Sequence, residues 1–455
     1  MATGSVRDGV FYHIYPLGLL GAPQRNDFSL EPQPRLNGLR AWIPHLRQLG
    51  ITDLYLGPLF ESTTHGYDTA DYYHLDRRLG TDENLRDLIG DLHNNHIRVI
   101  LDGVFNHVGR DFWAFRDLRQ NGVNSPYVDW FKGITFSSQS PMGDPFTYKP
   151  WSGHYDLVEL NLHNPAVRQH LLDAVSVWIN DFGIDGLRLD VADCLDLDFQ
   201  RDLAAFCRTQ KPGFWLMGEV IHGDYRRWAN PQTLDSVTNY EIYKGLYSSL
   251  VDKNYFEIAY ALNRQFGEAG LYRGLPLYNF ADNHDVSRVA SSLTNHEHLY
   301  PLYCLLFTMP GIPSIYYGSE WGLAGVRTPE SDIALRPALD LGKMAQAAPH
   351  PGLLPVLQRL VSIRKSSLAL RLGNYTQLFV SQEQLAFSRE TQRESVIVLL
   401  NAAAQPAGFD FPVDLKDGTV LTDILNKDEK FQTANGRLVI GEVQATWARI
   451  LKTDS

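Results

Sequence analysis

Eight short apolar runs recur along the chain with helix-patterned segments between them, and this alternation constrains the fold more than any other feature. The runs are Val10–Tyr15, Asp53–Gly57, Arg98–Asp102, Gly186–Asp190, Phe214–Glu219, Ser236–Asn239, Leu277–Asp282 and Pro313–Gly318. Between them lie patterns such as Pro165–Phe182 and Leu353–Lys365, where apolar residues return every three or four positions. A helix between two strands carries the chain back to the starting edge, so the strands pair in parallel. Eight such units predict a closed (β/α)8 TIM barrel, an α/β fold whose site lies at the C-terminal ends of the strands.

Two regions break the alternation. Between the third and fourth runs the chain is rich in aromatics, Gly and Pro, and too long for a structureless loop. An inserted subdomain is expected there. After Lys365 short alternating segments appear, such as Gln384–Arg389, Ser395–Asn401 and Arg437–Ile440, separated by turns such as Lys416-Asp417-Gly418 and Asn435-Gly436. These predict an antiparallel β-sandwich. The expected division is a barrel over residues 1–109 and 165–365, an inserted subdomain B over 110–164, and a C-terminal β-sandwich domain over 366–455.

Composition excludes several functions. With 41 basic against 52 acidic residues the net charge is −11, which does not suit a nucleic-acid surface. Cys194, Cys207 and Cys304 show neither zinc-site nor disulfide spacing. Met-Ala-Thr-Gly-Ser opens the chain and Asp8 precedes any apolar run, so no signal peptide is expected. No apolar stretch is long enough to span a membrane. The expectation is a cytoplasmic protein without nucleic-acid or membrane partners.

Four strand ends carry the chemistry. They read Leu101-Asp102-Gly-Val-Phe-Asn106-His107, Gly186-Leu-Arg188-Leu-Asp190, Met217-Gly218-Glu219-Val220 and Phe280-Ala-Asp282-Asn283-His284-Asp285. A single Asp after a strand is most often a helix cap. Four acidic ends, two of them with Asn-His, ask for another explanation. Arg188 and Asp190 are two apart on one strand, so their side chains share a face. A guanidinium beside a carboxylate favours its ionised form, which suits a nucleophile at an acetal carbon. Glu219, from the next strand, would hold the proton that a departing oxygen needs. Carboxyl groups about 5–5.5 Å apart would act with retention of configuration.

On these four stretches the chain resembles the α-amylase family, glycoside hydrolase family 13, over nearly its whole length. The resemblance implies Asp190 as nucleophile, Glu219 as general acid/base and Asp285 as a third carboxylate gripping sugar hydroxyls. It places Asp102, His107, Arg188 and His284 around the attacked glucose, and Tyr67, within His65-Gly66-Tyr67-Asp68, under that sugar. Gly311-Ile312-Pro313 and Tyr317-Gly318-Ser319-Glu320 match the eighth strand and are read as structural. The implied activity is cleavage of α-1,4-glucosidic bonds in short linear, cyclic or branched malto-oligosaccharides through a covalent glycosyl-enzyme.

Within the family the chain looks most like the cyclomaltodextrinase, neopullulanase and maltogenic amylase group. Tyr67-Asp68-Thr69-Ala70-Asp71-Tyr72, Glu159-Leu-Asn161-Leu-His-Asn164-Pro165 and Leu234-Asp235-Ser236-Val237 before Asn239-Tyr240 carry that likeness. Thr64 stands where exo-acting relatives usually have Asp. The first run begins near residue 10, so the group's N-terminal domain is expected to be absent, and any dimer to use another surface. Asp193-Cys194 and Ile221 depart from the group's usual Asn-Glu and Trp, and are expected to bear on the leaving sugar. Trp130, Trp151 and His154 are read either as sugar platforms or as subdomain packing. No cofactor is required; Asn106 and Glu159 stand where relatives hold a structural calcium, with a hydrogen-bonding role as the alternative. A monomer and a homodimer are both compatible with the sequence. Transglycosylation on the same residues, and a non-catalytic accessory protein with this fold, are the alternatives to hydrolysis.

Overall fold

In the computed structural model every one of the eight runs contains a strand. Residues 6–329 and 331–453 are described; residues 1–5, where the Met-Ala-Thr-Gly-Ser reading falls, and residues 330, 454 and 455 lie outside. The barrel strands are β1 (Phe11–Ile14), β2 (Asp53–Leu56), β3 (Arg98–Gly103), β4 (Gly186–Leu189), β5 (Trp215–Gly218), β6 (Ser236–Val237), β7 (Tyr278–Phe280) and β8 (Ile312–Tyr316). All but Arg98 of these residues are buried. That is why the strands read as continuous apolar runs rather than as alternation.

The sheet runs β7-β8-β1-β2-β3-β4-β5-β6, with every pairing parallel. A parallel bridge from Thr238 to Tyr278, with Asn239 N–H donating to Tyr278 O at 2.9 Å, joins β6 to β7 and closes the ring. Phe11, Tyr55, Ile100, Trp215, Met217, Tyr278, Phe280 and Ile312 fill the bore as a core of their own. Gly186 makes room for one of them: a Cβ there would lie 2.5 Å from the Trp215 carbonyl oxygen.

Helices form where the pattern asks for them, with chemically sensible starts. Asn164 caps helix Pro165–Val177 by accepting from Ala166 N–H, and Pro165 sits where no N–H is needed. The periodic stretch continues as a widened π turn, Trp178–Phe182, and stops at Gly183 with φ of +82°. Among the described residues no helix is long and apolar enough to cross a membrane.

The segment between β3 and β4 has its own antiparallel sheet, from His107–Gly109, Pro150–Trp151 and His154–Glu159. Phe115, Phe131, Phe146 and Tyr148 form an aromatic core beneath it. The first strand of this sheet starts at His107, three residues ahead of the expected boundary at 110. After the barrel a six-stranded antiparallel sheet faces a two-stranded one, with Phe409, Phe411, Leu438 and Ile440 packed against Ile397, Leu399 and Leu451.

Candidate active site

Arg188 organises the site. It lies on β4 directly across from Asp102 on β3, so in-register pairing alone brings the two side chains together. Nη1 of Arg188 donates to Asp102 Oδ1 at 2.9 Å and to Asp190 Oδ1 at 2.9 Å, while Nη2 lies 2.9 Å from Glu219 Oε2. Three buried carboxyl groups from three adjacent strands therefore converge on one guanidinium. Burial opposes the charge of Arg188, but Asp102 and Glu219 outweigh it and hold the group firmly protonated.

The turn after β4 is strained for a purpose. Val191, a β-branched residue, takes φ of +41°, where such side chains are rarely found. This sharp turn directs Val191 N–H onto Glu219 Oε2 at 3.1 Å. Tyr240 OH donates to the other oxygen, Oε1, at 3.3 Å and accepts from Asn283 Nδ2 at 3.2 Å. Glu219 is thus held by three groups, Arg188, Val191 N–H and Tyr240 OH.

Burial pushes the pKa of Asp190 well up, Arg188 pulls it down, and Glu219, Asp102 and Asp285 push it up again. The net direction is upward, which corrects the expectation that Arg188 by itself would keep Asp190 ionised. Like charges this close suppress each other's ionisation.

Opposite this cluster stands Asp285. His284 Nε2 lies 2.9 Å from its Oδ2 and Arg336 Nη2 is 2.8 Å from its Oδ1. Burial works against the charge, yet His284 and Arg336 hold this carboxyl far below the usual range. Tyr67 OH donates to Asp102 Oδ2 at 3.0 Å and makes a short contact with His284 Nε2, and its ring stacks on His284 at 5.4 Å. His107 Nε2 lies 3.9 Å from Asp190 Oδ2 without a hydrogen-bond partner among the described residues. Burial, then His65, lowers its pKa to about 3, so it is neutral near pH 7.

Asp102, His107, Arg188, Asp190, Glu219, His284, Asp285 and Tyr67 therefore come together. Asp193 and Cys194 do not join them: both sit on the turn after Asp190, and neither bonds to the carboxyl cluster among the described residues. Asp282 is the bland case after all, since it accepts from Ser319 Oγ and from Val289 N–H. Trp151 stacks on His107 at 5.7 Å, whereas Trp130 is buried against Trp113 and Tyr127. Sequence reasoning missed Arg336 and Tyr55, the latter donating to Asp102 at 2.7 Å. It quoted Tyr240 beside Asn239 but gave it no role. Arg336 sits in a segment without periodicity, where nothing signals a partner.

Two cavities open at the site. One of about 430 Å³ is lined by Tyr15, Thr64 and Arg336, the other, of about 750 Å³, by Trp151, His154 and Asp285. His65, Ser331 and Asp332 line both.

Glu159, one of the two positions considered for calcium, has ammonium partners instead. Glu159 Oε2 lies 3.1 Å from the Nζ atoms of both Lys132 and Lys149, so two ammonium groups already neutralise it.

Comparison with known proteins agrees with this geometry. Residues 33–348 match the model of the alpha amylase catalytic domain, and residues 375–448 that of the neopullulanase-like C-terminal domain. A cyclomaltodextrinase of a Bacillus species is 31% identical over 415 residues, covering 87% of this chain and 73% of that protein. Neopullulanase 2 of Thermoactinomyces vulgaris is 30% identical over 448 residues, covering 93% and 74%. The solved structure of the cyclic α-maltosyl-(1→6)-maltose hydrolase from Arthrobacter globiformis superposes with a TM-score of 0.83 at 27% identity, covering 99% of both chains.

Proposed function

The chain belongs to the α-amylase family and is a glycoside hydrolase, and on that premise we propose that it cleaves α-1,4-glucosidic bonds in short linear, cyclic or branched malto-oligosaccharides with retention of configuration. The observation that carries this reading is the shared guanidinium: Arg188 bonds to Asp190 and lies 2.9 Å from Glu219, which supports the two carboxyl groups acting on one sugar. Asp190 attacks the anomeric carbon as Glu219 passes its proton to the leaving oxygen. The resulting ester on Asp190 is cleaved by water, from which Glu219, now a carboxylate, takes a proton.

The other residues serve this exchange. Asp285, kept ionised, grips the hydroxyls of the attacked glucose. His107 Nε2 is free to bond the same ring, and the Tyr67 ring forms its floor. Names of the similar proteins point the same way: a cyclomaltodextrinase, a neopullulanase and a hydrolase of a cyclic maltosyl-maltose. In this reading the barrel over 1–109 and 165–365 carries the chemistry, subdomain B over 110–164 walls the site, and the β-sandwich domain over 366–455 buttresses the barrel.

The test is a product profile from maltoheptaose, β-cyclodextrin, cyclic α-maltosyl-(1→6)-maltose, pullulan and soluble starch at equal mass, with the first-formed anomer read by NMR. Faster opening of a cyclic or short substrate than of starch, with retention, is expected. Starch as best substrate would overturn the substrate class, and inversion would overturn the mechanism. Transfer products at high substrate concentration would show that a second sugar competes with water.

A further inference from the structure

A cavity of about 180 Å³ opens at the N-terminal ends of β1, β7 and β8, on the barrel face opposite the carboxyl cluster. Arg7, Arg371 and Arg389 line it, and the rest of its wall is glycine, proline, leucine and phenylalanine, with no acidic residue. Arg364, fully buried, stands behind the wall and donates to the Gly311 carbonyl. Four guanidinium groups thus gather where the barrel meets the C-terminal sheet.

The two buried members, Arg364 and Arg389, donate to carbonyls. Arg364 donates to Phe307 O, Leu370 O and Gly311 O, and Arg389 to Thr308 O and Gly373 O. Carbonyl dipoles satisfy N–H groups but do not cancel a full charge. The carboxylate nearby is Asp8, 3.2 Å from Arg371 Nη1. Burial and then Arg371 push the pKa of Arg364 down to about 9; burial and then Arg364 push Arg389 down as well. Arg389, itself buried, keeps a second N–H on each Nη and borders the cavity.

We propose that this cavity is an anion site that takes a small oxyanion, a phosphate or the phosphoryl end of a phosphorylated sugar, with Arg371 and Arg389 as its ligands. Its volume lies below the roughly 300–1,000 Å³ of pockets for drug-sized ligands, which suits a phosphoryl group and not a saccharide. Planar guanidinium groups are the natural partners of such an ion. Arg371 comes from helix Leu368–Leu372 and Arg389 from the C-terminal sheet, while the barrel's Pro276, Pro310 and Gly311 complete the wall, so a bound anion sits where the two domains meet and acts on stability, not on the distant chemistry.

The experiment is calorimetric titration and thermal unfolding of the full-length protein with sodium phosphate, at constant ionic strength against chloride. A saturable rise in Tm is expected, with phosphate binding at least about tenfold weaker in Arg371→Met. Asp8→Asn, which removes the competing carboxylate, is expected to tighten it. Maltoheptaose turnover should be unchanged in both variants. Glucose 6-phosphate, run in parallel, distinguishes the sources: a response equal to that of phosphate means the phosphoryl end suffices, and no response means a site for the free ion. Absence of a saturable response to either compound, or an equal response in Arg371→Met, overturns the proposal. Should Arg371→Met not fold, unchanged binding in Asp8→Asn overturns it instead.

Discussion

Arg336 and Asp285 stand 51 positions apart on two different loops, and their side chains meet at 2.8 Å inside the site. Arg336 also donates from Nε to His284 O at 3.0 Å, bonds Asp332 at 2.9 Å, and lies over the ring of Tyr15. A cation fixed at four points gives Asp285 one position and one charge.

Replacing this arginine should therefore damage catalysis more than folding. A hydrogen bond to a charged group contributes about 1.5–3 kcal/mol, so Arg336→Met should lower kcat/KM about 10- to 100-fold. The pKa of Asp285 should rise, because one of the groups holding it down is gone, and the acid limb of the pH–activity profile should move to higher pH. An unmoved limb would show that His284 alone sets the charge of Asp285.

Removing either member of the reacting pair should abolish most turnover while substrate still binds. Glu219→Gln should cost about 10²–10⁴-fold on maltotriose, the usual range for a general acid, and less on substrates with activated leaving groups. Asp190→Asn should cost more and show no such rescue, because the bond-forming group itself is lost. Near wild-type rates for either variant would end the assignment.

His107 ties stability to pH. Its folded pKa is about 3 against an ordinary 6.5, so between these values the unfolded chain binds the extra proton. Its contribution to stability is complete above pH 6.5 and is lost as pH falls toward 3, at up to about 1.4 kcal/mol per pH unit. His107→Gln should therefore unfold with a shallower pH dependence across this window. Parallel curves for the two proteins would mean that His107 is not buried neutral.

Lys132 and Lys149 replace a metal as the neutralisers of Glu159. Wild-type Tm should be the same in EDTA and in millimolar calcium. Lys132→Met with Lys149→Met leaves a carboxylate of 5% exposure unpaired. Because both lysines are partly exposed, the expected cost is about 1–3 kcal/mol, below that of breaking a wholly buried pair. A large calcium-dependent rise in wild-type Tm would show that a cation does bind there.

Much of the site was legible because it follows from local periodicity. Arg188 and Asp190 share a face since strand side chains alternate, and Asp102, Glu219 and Asp285 follow short apolar runs, where a barrel exposes its residues. Asp282, two residues past β7, is the acidic residue of its stretch that holds structure, accepting from Ser319 and Val289. Reasoning from the strand took one favourable charge, Arg188, as decisive for Asp190. Ionisation depends on every neighbour at once, and Glu219, Asp102 and Asp285 also face that carboxyl.

From the sequence by itself came the eight-stranded barrel, the insertion and the C-terminal sheet, set by repeat patterns within single segments, and the pairing of Asp190 with Glu219 at strand ends, while the parts of Asp102 and Asp285 followed from family resemblance. Tertiary structure alone decided that Arg336 clamps Asp285, that Val191 turns its N–H onto Glu219, and that two lysines close on Glu159. Those contacts join irregular segments whose paths depend on packing and individual backbone angles. Such segments have no period, so their meetings leave no mark in the order of residues.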